Sequence, residues 1–144
     1  MKLFEYEAIL PYAIEDVFSL TVDLANAPHW HSIFTHVEAL TEGKVDKGSR
    51  WRMHYGIGSF DLTITHFLPP TQVDFIGSRV MGMFPGFRIR LEAVDGGTQV
   101  HYYLEPDVPA IMRPIMALIG PAYGRRDLAR YFRELNEKLS SEIS

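Results

Sequence analysis

The stretch that decides the fold is residues 11–40, with the sequence PYAIEDVFSLTVDLANAPHWHSIFTHVEAL. Pro11 ends a run over residues 2–10 in which polar and apolar side chains alternate, and this alternation predicts a β-strand. After Pro11, residues 13–22 carry apolar side chains at helical spacing. Glu15 and Asp16 stand in the first turn of this predicted helix, where the helix dipole stabilises negative charge.

The second half of the stretch predicts another short helix and then another strand. Asp23 is predicted to cap a turn over residues 24–27. This turn should end before Pro28, because proline disfavours a helical conformation in the residue that precedes it. A strand-like run from Phe34 to Leu40 follows Trp30. The pattern is therefore strand, two short helices, strand.

From there to residue 108 the side chains alternate with a period of two. Phe60, Leu62 and Ile64, for example, alternate with polar residues. Each run has one apolar face, which is typical of an antiparallel sheet with its other face in solvent. Turn sequences separate the runs, and Asp95-Gly96 is the strongest hairpin signal among them.

The last third of the chain has a helical period instead. Leu128, Tyr131, Phe132, Leu135 and Leu139 form one apolar stripe on a predicted helix over residues 122–141, which would be about 30 Å long. Glu134 is expected to pair with charged neighbours on the outer face of this helix. Gly120-Pro121 is predicted to kink or break the join to an apolar segment at residues 109–119.

This arrangement resembles the START-like superfamily, which includes polyketide cyclases, birch-pollen-allergen-like proteins and lipid-transfer domains. The resemblance extends over essentially the whole chain. It implies an α+β helix-grip fold, in which a curved antiparallel sheet of six to seven strands wraps around a long C-terminal helix, with two short helices after the first strand. It also implies a cavity between sheet and helix, within a single START-like ligand-binding domain over residues 1–144.

The composition is that of one soluble domain and excludes several classes of protein. The chain has 144 residues, of which 47% are hydrophobic and 22% are charged. Its net charge of −4 argues against nucleic-acid binding, which requires clustered basic residues. The absence of cysteine excludes disulfides and thiolate sites. We expect a cytoplasmic protein without stable membrane insertion, because the N-terminus is acidic and residues 109–119 are too few to span a bilayer.

The apolar sheet face predicts a pocket for an apolar small molecule. By strand parity the lining comprises Met53, Tyr55, Leu62, Ile64, Phe75, Phe87, Ile89, Leu91 and Tyr102. His66 and Arg79 share this inward parity and are candidates for polar contacts to a ligand; the alternative is that each reaches solvent at the rim. Met112, Met116 and Ile119 are predicted at one end, where they and residues 80–87 form a lid, fill gaps in the core or make a homodimer contact.

No catalytic motif is recognisable, and neither a metal nor another cofactor is expected. His29-x-His31 with His36 lacks the regular spacing of zinc sites. The leading hypothesis is a protein that binds or carries an apolar or amphipathic small molecule, such as a lipid, a quinone or a polyketide-like compound. Two alternatives stay open. One is a cyclase or dehydratase, which the resemblance implies; the other is an interaction or regulatory module with a filled interior.

Overall fold

The described residues form an antiparallel sheet of seven strands, two α-helices and two 3-10 helices. The computed structural model describes residues 4–80 and 82–143, so the predictions for Lys2, Leu3 and Met81 lie outside the described residues. In chain order the elements are β1 (Phe4–Leu10), α1 (Ile14–Val22), the 3-10 helix η1 (Leu24–His29), β2 (Phe34–Ala39), β3 (Arg50–Tyr55), β4 (Gly58–Leu68), β5 (Gln72–Gly77), β6 (Gly86–Val94), β7 (Gly97–Leu104), the 3-10 helix η2 (Ala110–Met112) and α2 (Arg113–Ile143).

The strand order is β1-β7-β6-β5-β4-β3-β2, so each strand from β2 to β7 pairs with its neighbour in sequence. Strand β1 lies at the edge beside β7, with Phe4 opposite Leu104. The hairpin predicted at Asp95-Gly96 joins β6 to β7, and Gly96 has a φ of 87°, a left-handed conformation that glycine adopts without steric cost. The predicted fold, an antiparallel sheet of six to seven strands with a long C-terminal helix, is confirmed.

The two short helices between β1 and β2 are also confirmed, with one change. Glu15 and Asp16 lie in the first turn of α1. The second helix, η1, extends through Pro28 to His29, although we predicted that it would end before Pro28, and the Asp23 side chain makes no capping hydrogen bond to it. The N–H groups of Trp30 and His31 both bond to the carbonyl of Ala27, so this tight turn does not need the N–H that proline lacks.

An irregularity in β4 reverses the predicted orientation of His66. Ile64 pairs with Phe75 and His66 pairs with Asp74, so one extra residue, Thr65, lies between the two pairs. A bulge of this kind shifts the alternation of side chains by one position. His66 therefore points to the outer face, where its side chain is 65% exposed, and the prediction that it faces the interior is wrong. Phe67 turns inward instead and packs against the ring of Phe18 in α1.

Helix α2 runs through Gly120-Pro121 without a break, so of the predicted kink or break the break is wrong. It comprises 31 residues, with Pro121 inside it. An internal proline removes one backbone hydrogen bond, and the remaining turns of a long helix can carry that loss. The neighbouring glycine positions also bring this helix close to the sheet. A Cβ atom on Gly124 would lie 3.0 Å from the Cβ atom of Phe4.

The second half of α2 supplies the helical side of the core. Leu128, Phe132, Leu135 and Leu139 are all at most 5% exposed, as the helical stripe predicted. They share one hydrophobic cluster with the central residues of the sheet and with α1. Burial of this kind contributes roughly 25 cal/mol per Å² of apolar surface, so this seam stabilises the join of helix and sheet.

Candidate functional site

The concave face of the sheet is covered unevenly along the strands. At one end of the sheet, the last inward-facing side chain of every strand except β5 is only partly buried. The strand register pairs Leu104 with both Phe4 and Phe87, and it pairs Phe34 with Tyr55, whose ring contacts that of Phe60. We call this set of side chains the open end; it comprises Phe4, Phe34, Tyr55, Phe60, Phe87 and Leu104. Inward side chains opposite them or further along the strands are mostly buried, for example Met53 opposite Phe60, Phe75 opposite Phe87, and Ile89.

The beginning of α2 lies at the open end. Gly124 contacts the side chains of Phe4 and Leu104. One turn and two turns earlier, Gly120 and Met116 face the protein, and Met116 is partly buried. The sulfur of Met112 lies 3.5 Å from the position of a Cβ atom on Gly82, so η2 adjoins the loop that precedes β6. The two methionine-bearing segments that the sequence singled out therefore meet at this end.

The predicted site residues divide into three groups. Tyr55, Phe87, Met112 and Met116 are partly buried and lie at or beside the open end. Seven others fill the core, where protein side chains cover them: Met53, Leu62, Ile64, Phe75, Ile89, Leu91 and Tyr102. The remaining three, His66, Arg79 and Ile119, are exposed. The guanidinium of Arg79 lies over the ring of Phe84, 5.5 Å from its centroid, so this arginine does not enter the interior.

Aromatic rings connect the open end to a group of polar side chains. Phe60 contacts both Tyr55 and Phe34, and the ring of Phe34 lies 5.1 Å from that of His31. The chain of rings continues from His31 to Tyr131. Phe87 lies on the same face of the sheet, on β6, and its ring contacts that of Tyr102. The ring centroid of Tyr102 is 5.3 Å from that of Tyr131, so Phe87 is connected to the same group.

These polar groups are buried, and burial changes their chemistry. It raises the pKa of the Tyr131 hydroxyl to about 12 and that of Tyr102 well above its usual range, so both are neutral donors at physiological pH. The ring of Trp30 stacks on His31, and its Nε1 is a buried donor with no hydrogen-bond partner among the described residues. A buried donor of this kind requires an explanation, and an oxygen atom of a bound molecule would provide one.

His31 and Glu134 form a pair between the segment after η1 and helix α2. The Nδ1 atom of His31 lies 3.1 Å from Oε1 of Glu134, and the backbone N–H of Ser32 donates to Oε2 at 3.0 Å. Burial lowers the pKa of His31 and outweighs the opposite effect of Glu134. For Glu134, burial acts to raise the pKa, but the hydrogen bonds from Ser32 and His31 outweigh it and lower the pKa. The pair therefore consists of a neutral imidazole and a carboxylate at pH 7.

Sequence reasoning missed these residues. It considered His31 only as a metal ligand, and it placed Glu134 on the solvent face of the helix. The structure instead directs Glu134 to His31, so that prediction is wrong. The available signal was that Glu134 lies beside Leu135 on the apolar stripe, three positions after Tyr131. No group of three or more His, Asp or Glu side chains that could hold a metal ion occurs within residues 4–80 and 82–143.

The outer face of the sheet carries a different feature, a shallow charged depression. Its volume is about 430 Å³, and its lining includes His66, Asp74, Arg88 and Arg90. Asp74 is 8% exposed, and the side chains of Arg90 and His66 contact its carboxylate. These contacts satisfy its charge and hold the outer faces of β4, β5 and β6 together. The depression thus belongs to a network of ion pairs on the solvent side of the sheet, although its lining extends to Pro85 and Phe87 at the edge of the open end.

The match to a protein family accounts for this architecture. Residues 1–140 match the family described as polyketide cyclase / dehydrase and lipid transport. The chain belongs to this family. Comparison with curated protein sequences gives no match. No helix within residues 4–80 and 82–143 is long and apolar enough to cross a membrane.

Solved structures with low sequence identity share the fold. Ara h 8.0201 is 17% identical to this chain, with 96% of this chain and 97% of the other covered at a TM-score of 0.72. A START superfamily protein from Mycobacterium smegmatis is 14% identical, with coverages of 96% and 97% and a TM-score of 0.70. DynU16, from the dynemicin biosynthetic locus, is 16% identical; the match covers 96% of this chain and 47% of DynU16, at a TM-score of 0.65.

Proposed function

We propose that the chain binds an apolar or amphipathic small molecule at the open end, between the sheet and the first half of α2. The observation that carries this proposal is the set of aromatic and aliphatic side chains at the open end, which face inward and are only partly buried although the first half of α2 lies beside them. A ligand that covered them would gain roughly 25 cal/mol per Å² of apolar surface removed from water. Family membership supports the same class of ligand, since the family includes lipid transport.

The polar groups beside the open end favour a ligand with one oxygen-bearing end. Trp30 Nε1 offers a buried donor without a partner among the described residues, and the hydroxyl of Tyr102 remains protonated. The hydroxyl of Tyr131 also remains protonated, but it already forms a hydrogen bond with the side chain of Thr21. A carbonyl or hydroxyl oxygen would accept hydrogen bonds from such donors while the rest of the molecule lies against Phe34, Phe60 and Phe87. This arrangement is typical of small-molecule sites, which are mostly apolar with a few polar groups that fix orientation.

Two tryptophan variants of adjacent helix residues test the proposal. Met116 is partly buried toward the open end, whereas Ala117 is exposed on the same helix. Met116→Trp should fill the space and weaken saturable binding of an apolar fluorescent dye by about tenfold or more, and Ala117→Trp should leave it unchanged. Native mass spectrometry of the purified protein should detect a co-purified ligand in the Ala117→Trp variant and little in Met116→Trp. No saturable dye binding to the unmodified chain would instead favour an interaction module with a filled interior.

A second candidate function, proton transfer on a carbonyl substrate, is favoured by the His31–Glu134 pair. When Nδ1–H of His31 donates to the carboxylate, Nε2 is left with its lone pair and can act as a base. Removal of a proton from the carbon next to a carbonyl would give an enolate, the first step of aldol-type ring closure in a polyketide. This function predicts that the protein catalyses deuterium uptake from D₂O at that carbon of a β-ketothioester. It also predicts that His31→Gln abolishes the uptake and that the neighbouring His29→Gln does not.

A further inference from the structure

The 3-10 helix η2 and the first half of α2 carry a second apolar surface, on the side that faces away from the sheet. Five large side chains form it: Ile111, Ile115, Leu118, Ile119 and Tyr123. They are 86%, 61%, 82%, 54% and 67% exposed, respectively. We call this surface the outer stripe. Its members recur at intervals of three and four residues, as expected for one side of a helix.

The opposite side of the same turns is apolar as well. Met112, Met116, Gly120 and Gly124 face the protein. This part of α2 is therefore apolar around most of its circumference, and such a helix normally has both sides covered. The sheet covers one side. Contiguous exposed apolar surface of this kind marks a site of interaction with a partner or a membrane.

The charges around the outer stripe identify the partner. The segment from Val108 to Arg126 contains Arg113, Arg125 and Arg126 and is flanked by Asp107 and Asp127, although the whole chain has a net charge of −4. The guanidinium of Arg125 lies over the ring of Phe4. Arg126 follows Ile115, Ile119 and Ala122 at helical spacing, so it continues the exposed side by one turn. Tyr123, at the border between apolar and basic residues, is of the type enriched at membrane–water interfaces. This combination matches the surface of an anionic bilayer.

A second copy of the chain fits the outer stripe less well. In a symmetric contact the same surface would meet itself. It would bring arginines from both copies together, and the adjacent carboxylate, Asp127, already lies near Arg126 and Arg130 of its own chain. An anionic bilayer supplies both the apolar layer for the isoleucines and the negative charge for the arginines.

We propose that the outer stripe docks the protein on an anionic phospholipid membrane, with α2 lying in the plane of the interface. The apolar segment is too short to span the bilayer, so the contact is peripheral and reversible. The open end adjoins the same helix, which places the mouth of the proposed ligand site beside the lipid. The docking itself does not require a bound ligand, so it stands or fails separately from the proposed ligand site.

Vesicle co-sedimentation of the full chain tests this inference. At low salt the protein should bind vesicles that contain about a third phosphatidylglycerol, and bind pure phosphatidylcholine vesicles much more weakly. Ile115→Ser with Leu118→Ser should reduce binding to the anionic vesicles by at least about tenfold. Ile9→Ser with Ile76→Ser is the matched control, because those two isoleucines are exposed on the outer face of the sheet, away from α2. This control should bind like the unmodified protein.

A second pair of variants separates charge from apolar contact. Each arginine near an anionic surface contributes about fivefold in affinity. Arg125→Gln with Arg126→Gln should therefore weaken binding to anionic vesicles by roughly 25-fold at low salt, and high salt should remove this difference. Absence of binding by the unmodified protein would overturn the inference. So would a homodimer that Ile115→Ser with Leu118→Ser dissociates, because the outer stripe would then be an interface between copies.

Discussion

At the scale of single residues, the contact between His31 and Glu134 has a measurable consequence for stability. Both side chains are largely buried, at 14% and 13% exposure. Burial lowers the pKa of His31 from its ordinary value of 6.5, with Arg130 acting in the same direction and Glu134 and Asp127 in the other. The folded chain therefore takes up this proton at a lower pH than the unfolded chain does. Below about pH 6.5 the unfolded state binds more protons, so acidification favours unfolding.

The expected result is a loss of stability as the pH falls from 7.5 to 5.5 that depends in part on His31. Each unit of difference between the folded and unfolded pKa contributes about 1.4 kcal/mol. His31→Gln should show a smaller loss, measured as the free energy of unfolding in urea at both pH values. His29→Gln is the control, because His29 is exposed and precedes the pair by two residues. Equal pH dependence in His31→Gln and the unmodified chain would contradict a depressed pKa at this site.

The sequence did not reveal the contact between His31 and Glu134 for a simple physical reason. His31 and Glu134 are 103 positions apart, and only the fold brings the segment after η1 against α2. Local spacing carries information about neighbours on one element and none about such a contact. His66 illustrates the opposite case, in which local spacing was used and failed. Thr65 and His66 are both polar, so the bulge between Ile64 and His66 leaves no mark in the alternation of apolar residues.

At the scale of elements, hydrophobic period was a reliable guide. The strands and the stripe from Leu128 to Leu139 follow from periods of two and of about 3.6, and the hairpin at Gly96 follows from its turn sequence. The start of α2 could not be predicted in this way. Gly120-Pro121 is a strong local signal for a break, yet the helix continues through it from Arg113. The proline removes a single backbone hydrogen bond, whereas most of the stability of a helix in a protein comes from the packing of its apolar face.

The two halves of α2 differ in what covers them. The second half lies in the core, where Leu135 and Leu139 are at most 1% exposed. The first half lies against Phe4 and Leu104 of the sheet at Gly124, carries the partly buried Met116, and leaves its other side exposed. Methionine fills irregular space and glycine permits close approach, so this half can adapt to a ligand below it. We infer that the helix is a rigid anchor at one end and an adaptable cover at the other.

At the scale of the whole molecule, the sheet has one filled end and one open end. The sequence predicted which side chains face inward, and it could not predict how far along each strand the covering helices extend. The alternation of side chains can be read from one strand alone. Which side chains the helices bury depends on where α1 and α2 cross the seven strands. For this reason the predicted lining residues Met53, Ile64 and Leu91 form the core, while Phe34 and Phe60, which were not predicted, stand at the open end.

This difference between the ends predicts a difference in hydrogen exchange. Two backbone bonds of equal length provide a matched pair. The N–H of Leu91 donates to the carbonyl of Thr71 at the filled end, and the N–H of Gly77 donates to the carbonyl of Pro85 at the open end, both at 2.8 Å. Gly77 is buried, but its partner Pro85 and the nearby Phe87 are only partly buried. We therefore expect the amide of Gly77 to exchange by local opening and that of Leu91 only by global unfolding.

Amide hydrogen exchange measured by NMR should therefore be faster at Gly77 than at Leu91 by at least about tenfold. Denaturant at concentrations well below the unfolding transition should accelerate exchange at Leu91 much more than at Gly77. A bound apolar ligand should reduce the difference between the two exchange rates. It would cover the open end and suppress the local opening there, and it would change exchange at the filled end less. The variant Met116→Trp should reduce the same difference in exchange rate without any ligand. Equal protection of the two amides in the unmodified chain would mean that the sheet opens as one unit. The open end would then lack the looseness that a ligand site between sheet and helix requires.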